Sequence, residues 1–98
     1  MILVNTDTVT NKRIISILGI AQGSTVCAYS MGQDTIVDGE ITEYTQLQTK
    51  SREKALERMQ EDAERLGANA IVNVRFSASM LMEGCSEILA YGTAVKVD

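Results

Sequence analysis

Met80, Met82 and Cys85 bring two thioethers and a thiol close together along the chain. Soft sulfur donors of this kind suit Cu(I) and similar heavy metals. Methionines at alternate positions of a strand point the same way, and a turn at Glu83-Gly84 can fold Cys85 back toward them. The spacing therefore offers a soft heavy-metal site at Met80, Met82 and Cys85. The same residues also have a purely structural use, because Met80 continues an apolar strand face and methionine fills gaps in cores and interfaces. A closed zinc site wants about four Cys, His or carboxylate ligands. With no histidine and only two cysteines, Cys27 and Cys85, the chain does not supply them within one copy.

Other candidate groups lead to solvation rather than chemistry. Glu57, Glu61 and Glu64 form an acidic ridge, but Lys54, Arg58 and Arg65 lie beside it, and Glu61 to Arg65 has the spacing of a helical ion pair. Asp34, Asp38 and Glu40 lack the spacing of a calcium loop and read as turn formers. There is no histidine base, no Gly-x-Ser-x-Gly elbow and no phosphate-binding glycine loop. Cys27 has no base at hand to activate it and reads as a structural thiol. No residue is assigned a catalytic role, and the chain is expected to be a non-enzyme with no cofactor other than the heavy metal considered above.

Composition narrows the class further. A chain of 98 residues with no proline and no repeat holds one domain, residues 1–98. Hydrophobic residues make up 45% and charged residues 22%, a globular balance rather than a disordered one. The net charge of -4 gives no footprint for phosphate backbones, so no nucleic-acid partner is expected. The amino terminus lacks the basic and apolar regions of a leader, and no segment reaches the ~18 consecutive apolar residues of a membrane span. No membrane is expected, and a cytoplasmic location with two free thiols is.

The elements that would position these groups follow from periodicity. Arg13 to Ala21 and Ser24 to Tyr29 are rich in β-branched residues and read as one long strand kinked near Gly19 and Gly23, or as two joined at Gln22-Gly23. Met31 to Ile41 reads as a polar surface loop. From Thr42 to Leu66, Ala55, Leu56, Met59, Ala63 and Leu66 recur at helical spacing, and Gly67 suits a left-handed cap. Val72, Val74, Phe76, Ala78 and Met80 alternate with polar residues, which predicts a strand with one buried face. Glu87 to Val97 completes an antiparallel hairpin. The last strand sets the small residues Ala90, Gly92 and Ala94 on one face, where a helix can approach closely. Leu89, Tyr91, Val95 and Val97 fall on the other.

That distribution asks for a partner. The expected fold is α+β, an antiparallel sheet packed on one long helix in the order β-β-α-β-β, and one helix covers one face. Leu89, Tyr91, Val95 and Val97, together with the apolar run Ile14-Ile15-Ser16-Ile17-Leu18, would otherwise face water. Further copies of the same chain are the simplest cover. Clefts between such copies would be the natural place for a small-molecule ligand.

The stretch Ala63-Glu64-Arg65-Leu66-Gly67-Ala68-Asn69-Ala70-Ile71-Val72-Asn73-Val74-Arg75, with Met80-Leu81-Met82 and the terminal Gly92-Thr93-Ala94-Val95-Lys96, resembles the YbjQ-like family. Ile36-Val37-Asp38-Gly39 and Tyr44 look like its loop and helix start. These are small bacterial and archaeal proteins of unknown function that carry a heavy-metal-binding label. The resemblance implies a β-β-α-β-β fold with the helix against an antiparallel sheet, assembled as a ring, a pentamer of the chain with itself. The family's Arg-Ser-Gly-x-Tyr-Glu motif corresponds here to Glu40-Ile41-Thr42-Glu43-Tyr44-Thr45, in which the tyrosine alone is kept.

Overall fold

A computed structural model describes residues 1–28, 36–37, 40–82 and 85–98. The elements are β1 (Ile2–Leu3), β2 (Ile14–Ala28), β3 (Ile36–Val37), β4 (Glu40–Ile41), α1 (Thr42–Arg65), β5 (Ala70–Met82) and β6 (Cys85–Val97). Four strands form one sheet in the order β1-β5-β6-β2, and β3 and β4 form a separate two-stranded ribbon. The α+β class and the single long helix agree with the sequence reading.

Two details correct it, and a third decides between its alternatives. The sheet is mixed rather than antiparallel, because β1 runs parallel to β5 and pairs Ile2 with Ala70 and Leu3 with Ile71. β2 is one continuous strand through Gln22-Gly23, with register shifts between Ile14 and Ser16 and between Ile17 and Gly19. Gly19 at that second shift has φ 132°, so the kink expected there is a β-bulge. The segment 31–41, expected as loop, contains the ribbon strands at 36–37 and 40–41; residues 31–35, 38 and 39 lie outside the described residues.

α1 packs on β2 and β6. Ala55, Met59 and Ala63, four residues apart, have no exposed surface, and Ala90, Ala94, Ala21 and Ile71 beneath them are equally buried. Small side chains on both sides bring the helix close. A side chain on Gly23 would lie on the backbone nitrogen of Met59 and 2.5 Å from the carbonyl oxygen of Ala55. The helix ends in a complete left-handed cap. Gly67 (φ 86°) donates its N–H to the Glu64 carbonyl (3.0 Å), and Ala68 donates to that of Ala63 (3.1 Å). Leu66 falls past the last helical residue and is 41% exposed instead of joining the apolar face.

The far face of the sheet is half covered. β1 and β2 lie on opposite sides of the β5–β6 hairpin, so the chain between them must cross it. That crossing shields one end: Val95 and Val97 are 1% and 5% exposed and pack with Ala70, Val72, Ile2, Val4, Val9 and Ile14. Those two valines were expected to face water and do not, because a two-residue strand on the distant edge draws the amino-terminal segment over them.

β5 also departs from simple alternation. Asn73 adopts φ 54°, and the register with β6 slips between Val72 and Arg75. Asparagine tolerates this left-handed conformation better than most residues. The inserted residue puts Val72 in the far-face cluster and Val74 against the helix-side core. From Arg75 to Met82 every residue of β5 is exposed, so the buried face expected at Phe76, Ala78 and Met80 is open to solvent.

Candidate interaction surface

The far end of the β5–β6 hairpin carries the sulfur residues. Met80 and Met82 are 79% and 67% exposed. Met80 pairs in register with Ser86 and Met82 with Cys85, with a shift between the two pairs. That shift breaks the alternation that would aim both methionines the same way, and it leaves Met82 and Cys85 as cross-strand neighbours. Cys85 is a free thiol. On β2, Cys27 pairs with Ser86, and Ala28 with Cys85. Among the described residues no three His, Cys, Asp or Glu side chains come together as a metal donor set.

The acidic groups are distributed as a solvated face. Glu57, Glu61 and Glu64 are exposed, and Lys54 lies 3.4 Å from Glu57. Arg65 pairs with Asp62 at 2.9 Å, not with Glu61 as the helical spacing suggested. Asp34 and Asp38 lie outside the described residues.

Asp62 has a second bond that sequence reasoning missed. Its Oδ2 accepts the backbone N–H of Gln22 at 3.0 Å, and one turn earlier Arg58 donates to the Ser24 carbonyl at 2.6 Å. Two helix side chains thus occupy backbone groups along the outer edge of β2. The Gln22 N–H holds the Asp62 carboxyl below the usual carboxylate range; partial burial pushes the other way, and the hydrogen bond and charge of Arg65 add to the lowering. Asn69 performs a similar service at the other end of the sheet, exchanging two hydrogen bonds with Val97 (2.9 and 2.8 Å). No sequence signal distinguishes these residues from other polar surface positions.

Two open grooves flank the helix. One, of about 520 Å³, lies between α1 and β5 and is lined mainly by Leu3, Leu56, Val74 and Phe76. The other, of about 620 Å³, is polar and follows the β2 edge past Arg58, Glu61 and Arg65. The most distinctive surface, however, is apolar and uncovered. Ile15, Ile17, Ile20 and Val26 on β2 are 55%, 75%, 72% and 58% exposed, and Phe76, Leu81 and Tyr91 are 47%, 52% and 37% exposed. This exposure makes the two sheet borders the candidate interaction surface. No helix among the described residues is long and apolar enough to cross a membrane.

The profile of the YbjQ-like family, described as "Putative heavy-metal-binding", matches residues 1–98. The chain belongs to the YbjQ-like family. Its relatives carry the name UPF0145 protein: one from Methanosarcina acetivorans is 52% identical over 103 residues, spanning 99% of this chain and 97% of the relative. Another, from Thermotoga maritima, is 44% identical over 104 residues, spanning 100% and 98%. In three dimensions the chain is similar to a solved protein of unknown function from Pediococcus pentosaceus, assigned to the DUF74 family. The TM-score is 0.70 at 13% identity, with 100% of this chain and 98% of that one covered. At that identity the similarity shows a shared fold. The YbjQ-like relatives match this chain from end to end, so the α1–β5 junction and the terminal strand singled out by sequence belong to a common frame.

Proposed function

We propose that the chain is a non-enzymatic, homo-oligomeric binding or scaffold protein, assembled as a ring of five copies. The observation that carries this reading is the uncovered apolar surface: Ile17, Ile20, Phe76 and Leu81 are each about half exposed or more on both borders of a thin sheet. If four such side chains are covered at ~1.5 kcal/mol or more each, association gains several kcal/mol before its entropic cost. The non-enzymatic part is supported by the absence of histidine. It is also supported by Asp62, the described group with a clearly shifted pKa, which is committed to bracing β2. Size-exclusion chromatography with light scattering at micromolar concentration should give a multiple of 10.7 kDa; the mass of a single chain rejects the reading.

A second reading, soft-metal binding, is favoured by the register that sets Met82 opposite Cys85. Within one copy this is a two-donor thioether–thiol pair, which fits Cu(I) better than zinc. Met80 is displaced from the pair by the register shift. Anaerobic Cu(I) titration should then show binding that is lost in Cys85→Ser. No binding, or binding unchanged by the substitution, rejects it.

A further inference from the structure

Among the described residues, both borders of the sheet are left partly unpaired. β2 runs from Ile14 to Ala28 as an edge strand, and no charged residue or proline lies within it. On the opposite border β1 covers the start of β5, pairing with Ala70 and Ile71. The chain after β1 follows β5 a little further, where Val74 donates its N–H to the Val4 carbonyl (3.0 Å) and Asn73 to that of Thr6 (2.9 Å). From Phe76 to Met82 no described segment pairs with β5 on that side, and this stretch also lacks charge and proline.

An edge with those properties is a template for another strand. Proteins that remain single blunt their edges with lysines, prolines, bulges or very short strands; of these β2 carries the bulges between Ile14 and Ser16 and between Ile17 and Gly19, but no charge and no proline. On β2 the helix closes part of the border, since Asp62 takes the Gln22 N–H and Arg58 occupies the Ser24 carbonyl. Backbone groups alternate in direction along a strand, so those of Ile20 point outward as those of Gln22 do. On β2 this leaves 14–20 open before the braced positions, and no described segment pairs with 25–28 beyond them either; the open part of β5 is 76–82, uncharged and as long as 14–20. By the same alternation from Val74, the N–H groups of Phe76, Ala78 and Met80 point outward.

The surface area is consistent with a missing neighbour. A folded single chain of this mass is expected to expose about 5,500 Å², whereas this one exposes 6382 Å². The excess, roughly 900 Å², matches the ~800 Å² that one partner contributes to one stable interface, and is about half of what a copy with a neighbour on each border would bury. The radius of gyration, 16.1 Å, likewise exceeds the ~13 Å of a compact domain of this length.

From these matched borders we propose that the sheet continues from one copy to the next, the 76–82 stretch of β5 pairing with the 14–20 stretch of β2 in its neighbour. The two edges differ, so the contact is head-to-tail. Each copy offers β5 to one neighbour and β2 to the other, the kind of contact that closes into a ring when the rotation permits. The proposal rests on the homo-oligomeric reading above and specifies the surfaces that produce it.

Two substitutions test it. Ala78→Pro removes an N–H that points away from β6, and proline is tolerated on an edge. Ile20→Lys places a charge on the β2 border. Light scattering should show the wild-type multimer falling to the 10.7 kDa single chain in each variant, with far-UV circular dichroism unchanged. A wild-type multimer whose mass persists in either folded variant overturns edge pairing and leaves homo-oligomerisation standing; a wild-type single chain overturns both. Should a variant lose its dichroism, amide exchange on the wild-type assembly decides. Slow exchange at Phe76, Ala78 and Met80 supports pairing, and exchange as fast as an open edge overturns it.

Discussion

Gly23→Ala is expected to cost about 3 kcal/mol or more of folding stability, at the upper end of what overpacking produces. The added methyl would meet the backbone of α1 rather than a flexible side chain: the Met59 nitrogen, the Ala55 carbonyl oxygen at 2.5 Å and the Arg58 carbonyl carbon at 2.7 Å. No rotamer change relieves such a contact, so the helix must lift from β2 and β6. Lifting it exposes Ala55, Met59 and Ala63, which are wholly buried. Ser24→Ala, one residue along on the exposed side, should change stability by about 0.5 kcal/mol or less. Urea denaturation of both variants checks this; equal midpoints would mean that the helix does not sit on Gly23 as described.

The second large effect belongs to Asp62 and depends on pH. Its carboxylate is held by the Gln22 N–H and by Arg65, and its pKa is lowered in the folded chain. A group with a depressed folded pKa contributes stability that is present above its unfolded value, near 4, and is lost as pH falls through the lower folded value. Asp62→Asn should therefore lower stability by about 1–2 kcal/mol at neutral pH. The gap between variant and wild type should then shrink as pH falls below about 4. Thermal melts at fixed protein concentration across that range give the answer, and a gap that stays constant into acid would contradict the assignment.

What could be read from the sequence was what repeats. The helix face at Ala55, Met59 and Ala63 is visible because its period differs from that of its surroundings, and Gly67 marks its end because few other residues accept that backbone. The small face at Ala90, Gly92 and Ala94 was likewise legible, as was the family resemblance carried by the helix end and the last strand. What escaped was long-range or aperiodic. Ile2 and Leu3 pair with a strand nearly 70 residues away, and two residues have no period to reveal it. The burial of Val95 and Val97 follows from that pairing and was missed with it. The bulge at Asn73 resets the alternation of β5, separating Val72 from Val74, and a second slip before Met82 separates Met80 from the pair Met82–Cys85. Asp62 and Arg58 look like ordinary solvated residues until the edge strand beneath them is in place.

Hydrophobic side chains left open at the sheet borders need cover, and further copies of the chain are the proposed cover. Native mass spectrometry of freshly purified protein reads this directly, because it reports the number of chains in each particle. The expected spectrum is dominated by one closed assembly of five chains. A spectrum that shows one chain at every concentration would contradict it.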